Sequence, residues 1–168
     1  MASDRRDDVA QVDVHALKAA FLGLGPGIDP QEALRAARIA YEYAAILKAE
    51  YQIEDPPLIH NAKVNFGAKP RGLCWHWAED IERRLQAEAF ETLEVHRAIT
   101  NATNLRIEHS TAIISPKGGW IYDGIVLDPW RYGGVLFWSA TRDDPNYDWY
   151  PQVQVFAAKR RARGFFRD

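Results

Sequence analysis

One stretch of helical periodicity constrains the fold more than any other, because the only cysteine of the chain stands at its beginning. Apolar residues recur with the spacing of one helix face at Cys74, Trp77, Ala78, Ile81 and Leu85. Acidic residues occupy the early turns and arginines the later ones, the order that a helix dipole favours. We therefore predict an amphipathic helix whose first turn carries the cysteine.

A position in the first turn of a helix favours the ionised form of a cysteine. Backbone N–H groups in the first helical turn have no helical partner, and they stabilise an anion nearby. The thiolate is the nucleophilic form of cysteine, so Cys74 is a candidate for covalent catalysis. The alternative is a small buried core residue, a common role of free cysteine. Residues further along the chain favour the first interpretation.

Two predicted strands each supply a polar group of catalytic type. Residues 105–113 alternate with period 2 and place His109 on the apolar face, so this histidine should point inwards. After a turn at residues 116–119, a short apolar run ends at Asp128 and is stopped by the next proline. With Cys74, the chain offers a nucleophile, a base and a group that orients the base, the parts that acyl transfer requires.

The residues around these three carry a family resemblance. The chain contains Gly72-x-Cys74-x-x-Trp77-Ala78, then His109, then Leu127-Asp128-Pro129. In this order they resemble the transglutaminase-like branch of the papain-like cysteine enzymes, including bacterial transglutaminase-like cysteine peptidases. The resemblance covers about residues 60–132. It implies Cys74 as nucleophile, His109 as base and Asp128 as the group that orients the imidazole.

The resemblance also implies an architecture. We expect an α+β fold with a papain-like or transglutaminase-like core, in which the nucleophile helix packs on an antiparallel β-sheet. A length of 168 residues suits one domain. Within it we expect an N-terminal helical part over residues 1–55, a catalytic core over 56–151 and a C-terminal tail over 152–168.

Local signals place the other elements. Asp29-Pro30-Gln31-Glu32 is a strong helix start, and its helix should run to about Tyr51. A short helix is expected at residues 14–24, with frayed residues before it, whereas residues 58–70 should be irregular. Further strands are expected at about residues 92–99 and 135–138, with a last strand or turn near 153–156.

Four more residues are candidates for oxyanion or substrate contacts: Asn65, Trp75, Trp130 and Arg131. No glutamine precedes Cys74, and Asn65 would supply the amide donor instead. The alternative for Asn65 is a turn residue that bonds its own backbone. Trp130 directly follows the aspartate, and we expect it to shield the His–Asp pair from water or to pack in the core.

Composition excludes several classes of function. A net charge of −2 argues against a nucleic-acid partner, and one cysteine excludes an internal disulfide. No apolar run approaches the length of a membrane span. The first residues lack a secretory signal, which favours the cytoplasm. A chain trimmed of its leader would look the same, so a periplasmic or secreted location is the alternative.

The main hypothesis is a cofactor-independent cysteine hydrolase or acyltransferase that acts on an amide or ester bond of a peptide or protein, including cell-wall peptide. One alternative is a non-catalytic module that binds such a peptide on the same scaffold. Another is an arylamine N-acetyltransferase-like enzyme, because Arg71-Gly72-x-Cys74 resembles the motif of those enzymes. A metal site from Cys74, His76 and His109 is disfavoured, since residues two apart on a helix point to different faces.

Overall fold

The computed structural model describes residues 2–100 and 109–164, and side chains from residue 11 onwards except that of residue 162. In this part of the chain the helices are α1 (Ala2–Leu22), α2 (Pro30–Glu50), α3 (Pro57–Asn65), α4 (Cys74–Gln86) and α5 (Gln152–Gly164). The strands are β1 (Leu93–Thr100), β2 (Ser110–Pro116), β3 (Ile125–Tyr132), β4 (Val135–Ala140) and β5 (Trp149–Pro151). The expected α+β class is confirmed.

The strands form a single antiparallel sheet in the order β4-β3-β2-β1-β5. The central strand, β2, is buried at every position from Ser110 to Ser115. Burial therefore does not alternate along β2, because both faces of a central strand are covered. His109 lies immediately before β2, and residues 101–108 lie outside the described residues.

Apolar side chains cover the two faces of the sheet in two clusters. The larger cluster joins α1, α2 and α4 to one face, where Ile114 and Leu127 contribute. The smaller one gathers Ile113, Val126 and Trp149 on the opposite face, as expected for residues that neighbour the first set along their strands. The N-terminal helices and the sheet thus share one core.

The two strongest sequence signals, at Asp29 and at Cys74, each predicted the start of a helix that the structure contains. Asp29 caps α2, and its Oδ1 accepts a hydrogen bond from the Gln31 amide at 2.6 Å. Helix α4 begins at Cys74, and the predicted apolar face is buried against the sheet. In the described residues, no helix combines the length and apolarity needed to cross a membrane.

Four expectations were wrong. Strand β3 continues through Pro129 to Tyr132 instead of ending at Asp128, with a shift of register between Asp128 and Tyr132. Helix α1 begins at Ala2 instead of about residue 14, and α3 occupies most of the stretch expected to be irregular. Pro57 is the first residue of α3, where proline is well tolerated, so it begins a helix instead of breaking one. Residues 152–164 form α5 instead of a strand and tail. The alternating valines that suggested a strand lie on this helix, which packs against β1 and β5.

Candidate active site

The loop before Cys74 is held by two buried histidines. Beneath it, Nε2 of His60 donates a hydrogen bond to the Arg71 carbonyl at 2.7 Å. From the helix side, Nδ1 of His76 accepts hydrogen bonds from the amides of Gly72 and Leu73, each at 3.1 Å. We call His60 and His76 the loop histidines. Together they fix the peptide groups that lead into the nucleophile.

Gly72 is the residue that this arrangement requires. Its φ is +126°, in the region that favours glycine, and a Cβ at this position would collide with the His60 ring. The loop can approach the buried imidazole only because position 72 has no side chain. The glycine two residues before Cys74 is therefore required for steric reasons.

The chemistry of His76 agrees with its role as an acceptor. Burial and the nearby Arg71 guanidinium lower the pKa of His76. A neutral imidazole keeps the lone pair on Nδ1 that the two loop amides need. Arg71 itself pairs with Asp80 at 3.1 Å, and Asp80 also accepts a hydrogen bond from Tyr51 of the α2 end. The loop is thus tied to α2 as well as to α4.

His109 and Asp128 form a buried pair at the end of the sheet. His109 Nε2 lies 2.5 Å from Asp128 Oδ2, and each residue is only 1% exposed. The inward orientation predicted for His109 is confirmed. The second carboxylate oxygen, Oδ1, accepts the backbone amides of Trp130 and Arg131 at 3.1 and 3.3 Å. These contacts hold the carboxylate towards the imidazole.

The other ring nitrogen of His109 serves the cysteine. Because Nε2 pairs with Asp128, Nδ1 is the nitrogen left for the thiol. Nδ1 is buried and makes no hydrogen bond of ordinary geometry within the described residues, although the Cys74 side chain is close enough to influence the ring. Burial disfavours the charged ring, but the interactions with Asp128 and Cys74 outweigh it and raise the pKa of His109 to about 9. An imidazolium is therefore favoured beside the thiol at neutral pH.

Three aromatic rings enclose the imidazole. Trp130 and Tyr147 each lie 4.7 Å from the His109 ring centroid, and Trp149 lies at 5.4 Å. Trp130 is 8% exposed and belongs to the core cluster, so it both packs in the core and covers the His109–Asp128 pair. Its indole N–H donates to Asn61 Oδ1 at 3.2 Å, which fixes the ring plane.

Arg131 links Asp128 of this pair to Asp144. Its Nε donates to Asp128 at 3.1 Å, while its two terminal nitrogens contact both oxygens of Asp144 at 2.9 and 2.8 Å. Asp144 in turn accepts the indole N–H of Trp149 at 2.8 Å. This chain of contacts links the carboxylate of the pair to one of the rings that enclose His109.

A cavity of about 290 Å³ opens beside the thiol. Its lining residues are Cys74, Trp75, Arg97, Ile99, Ser110, Gln152 and Phe156. Arg97 is the charged group of this wall, and it is already used, because it contacts Glu82 at 3.0 Å, Ser110 at 2.8 Å and the Trp75 carbonyl at 3.1 Å. The wall next to the thiol is consequently apolar and close to neutral.

The structure brings together most of the residues singled out in the sequence. Cys74, His109 and Asp128 are linked, Trp75 lines the cavity, and Trp130 and Arg131 contact the pair. Asn65 is different: it is exposed at the end of α3, and its side chain makes no hydrogen bond within the described residues. One turn earlier, Asn61 is the amide that reaches the site through Trp130.

Residues 58–70, which hold His60 and Asn61, were expected to line the site, but neither of these two residues was given a role. Tyr147, Trp149 and Asp144 were not foreseen, because their approach to His109 and Arg131 joins separate parts of the chain that no local pattern connects. Comparison with protein-family models, curated proteins and solved structures gave no match.

Proposed function

We propose that the protein is a cysteine hydrolase or acyltransferase with a papain-like or transglutaminase-like core, in which Cys74, His109 and Asp128 form the catalytic triad. The observation that carries the proposal is the buried 2.5 Å contact between His109 and Asp128, with the Cys74 thiol on the other side of the same imidazole. A nucleophile, a base and an orienting carboxylate are joined in the order that acyl transfer needs.

The first chemical step forms an acyl-enzyme. The Cys74 thiolate attacks the carbonyl carbon of an amide or ester, and the carbonyl electrons move to oxygen. In this scheme the backbone N–H of Cys74, at the start of α4, stabilises the oxyanion. When the intermediate collapses, the bond to the leaving nitrogen or oxygen breaks, and the His109 imidazolium gives its proton to that atom. A thioester on Cys74 remains.

The second step releases the acyl group. His109, now neutral, takes a proton from water or from an acceptor amine, which attacks the thioester carbon. The C–S bond then breaks, and the sulfur leaves as a thiolate that again pairs with the imidazolium. Asp128 keeps Nε2 of the imidazole protonated throughout, so that Nδ1 always faces the sulfur.

Trapping of the acyl-enzyme tests this proposal directly. Wild-type protein is mixed with p-nitrophenyl acetate, quenched in acid and analysed by intact and peptide mass spectrometry. We expect a burst of nitrophenol stoichiometric with protein and an acetyl group on Cys74. Cys74→Ser should lose the burst, and His109→Ala should slow it by about 10² or more, the usual contribution of a general base.

Two outcomes would contradict the proposal. Wild-type protein that acetylates no faster than His109→Ala would favour a non-catalytic peptide-binding module. An acetyl group carried by surface lysines instead of Cys74 would remove the nucleophile from the scheme. An arylamine N-acetyltransferase-like activity would appear as transfer of the trapped acetyl group to an aromatic amine faster than to water.

A further inference from the structure

The first half of helix α5 forms one wall of the cavity beside Cys74, and the second half carries positively charged side chains. Gln152 and Phe156 line the cavity at Cys74. Phe156 also borders a second cavity of about 370 Å³, whose other described lining residues are Lys159, Arg160 and Arg163. Phe156 is 41% exposed and stands between the two cavities. The spacing of these residues puts them on one face of the helix.

The charge of this face is not balanced locally. Arg160 and Arg163 are both exposed, and neither pairs with a carboxylate among the side chains that the structure describes. Residues 159–163 read Lys-Arg-Arg-Ala-Arg without an acidic residue, although the whole chain has a net charge of −2. We call Arg160 and Arg163 the cationic face of α5.

The two cavities differ in what they can bind. Beside Cys74 the wall is apolar and Arg97 is neutralised by Glu82, so this part favours an uncharged acyl group. Arg160 and Arg163 of the cationic face lie four and seven residues beyond Phe156, rises of about 6 and 10 Å along a helix. An extended peptide covers these distances in about two and three residues. The wall therefore matches a chain with a neutral reactive end and an anionic part about three residues away.

We propose that the substrate of this site is an acidic peptide, which places its scissile acyl group at Cys74 and its carboxylates on the cationic face of α5. This inference rests on the cysteine acyl-transfer function proposed above and adds the substrate class. The favourable field is screened by salt because both arginines are exposed.

Protection of Cys74 from alkylation tests the inference. Iodoacetamide is applied to the full chain at about pH 9, where any accessible thiol reacts, so the assay does not depend on triad chemistry. The probes are acetyl-Ala-Gly-Gly-Glu-Glu-Glu-amide and its twin with three glutamines. We expect the acidic probe to halve the alkylation rate at about tenfold lower concentration than the twin at low salt. High salt should remove this difference.

The helix supplies its own matched control. Arg160→Gln and Arg163→Gln should each weaken protection by the acidic probe and leave the twin unchanged. Arg161→Gln removes the same charge from the same helix, but position 161 points about 140° away from Phe156. We expect it to protect like the wild type.

Several results would overturn the inference while leaving the catalytic proposal intact. One is equal protection by the acidic probe and its glutamine twin. A second is an Arg161→Gln effect as large as that of Arg163→Gln, which would indicate net charge instead of a binding face. A third is protection by phosphatidylserine vesicles but not by the acidic probe, which would assign the cationic face to a membrane surface. Failure of the catalytic proposal would instead appear in acyl-enzyme trapping.

Discussion

At the scale of single residues, the site depends on groups that their neighbours restrict to one conformation. Gly72 has a φ that disfavours side chains and faces the buried His60 ring. His109 contacts Asp128 through Nε2, and its buried Nδ1, which makes no ordinary hydrogen bond within the described residues, is the nitrogen left for the Cys74 thiol. Asp128 accepts four hydrogen bonds, from the His109 ring, the Arg131 side chain and two backbone amides. These hydrogen bonds fix the carboxylate of Asp128, and the carboxylate in turn fixes the orientation of the His109 imidazole.

Substitution of Gly72 separates backbone strain from steric contact. Gly67 also has a positive φ, +78°, but a Cβ there would meet nothing within 4 Å. We expect Gly67→Ala to lower the free energy of unfolding by about 1 kcal/mol, from backbone strain alone. Gly72→Ala should cost about 3 kcal/mol, because overpacking against His60 is added. Urea unfolding measures both, and equal losses would show that His60 does not restrict this position.

Residue-scale patterns foresaw the catalytic candidates better than their surroundings. The order of Cys74, His109 and Asp128 was visible because periodic patterns predict the elements that carry them: Cys74 begins α4, His109 directly precedes β2 and Asp128 lies within β3. The rings of Tyr147 and Trp149 were not foreseen, since their approach to His109 depends on how β5 joins the sheet. The amide role was assigned to Asn65 instead of Asn61, because residues 58–70 show no repeating apolar face that would predict a helix. In α3, His60 is the one buried residue.

At the scale of elements, a buried carboxylate fixes the junction between helix α2 and the sheet. The buried Glu32 near the start of α2 accepts the backbone amides of Glu91 and Thr92 at 2.6 and 2.8 Å. It also accepts the Thr92 hydroxyl. Burial opposes ionisation, but these hydrogen bonds lower the pKa of Glu32 below its ordinary value. One carboxylate thus joins α2 to the chain entering β1.

Loss of that carboxylate should loosen the junction. We expect Glu32→Ala to lower the free energy of unfolding by about 2 kcal/mol, because two backbone amides lose their acceptor. Glu42→Ala, an exposed position on the same helix, should change it by less than about 0.5 kcal/mol. Chemical denaturation at neutral pH compares the two. Since the pKa of Glu32 is lowered on folding, its contribution should disappear as pH falls below about 4.5. Similar losses in both variants would contradict this role.

The elements that the sequence did not predict have weak apolar patterns. Val153 is 68% exposed and Phe156 41% exposed, so α5 lacks the buried stripe that identified α4. Its helical form depends on packing against β1 and β5, contacts that distant residues provide. The period-2 alternation over residues 105–113 did predict a strand that overlaps β2, although the structure buries both faces of β2.

At the scale of the whole molecule, the active-site pair links stability to pH. The pKa of His109 is raised from 6.5 to about 9, so its contribution is complete below pH 6.5 and is lost as pH rises through 9. We expect the free energy of unfolding to fall across this window by about 3 kcal/mol at most. His76 and His96 do not contribute there, because burial lowers the pKa of both.

Asp128→Asn is the control for this pH dependence. Asparagine keeps the size of the side chain but removes the charge that favours the imidazolium. The fall in unfolding free energy between pH 6.5 and 9 should therefore be smaller in the variant than in wild type. Thermal or urea unfolding over this pH series measures it, and identical curves for the two proteins would show that the pair does not hold a proton.

The central claim is that His109 activates Cys74, and the rate of iodoacetamide alkylation of Cys74 as a function of pH tests it most directly. Mass spectrometry follows wild type, His109→Ala and Asp128→Asn. We expect wild type to react well below the pH range of an ordinary thiol, because the imidazolium stabilises the thiolate. The midpoint should move to higher pH in His109→Ala, and less far in Asp128→Asn. If wild type and His109→Ala share one rate and one midpoint, the pair is not coupled, and Cys74 is a structural cysteine.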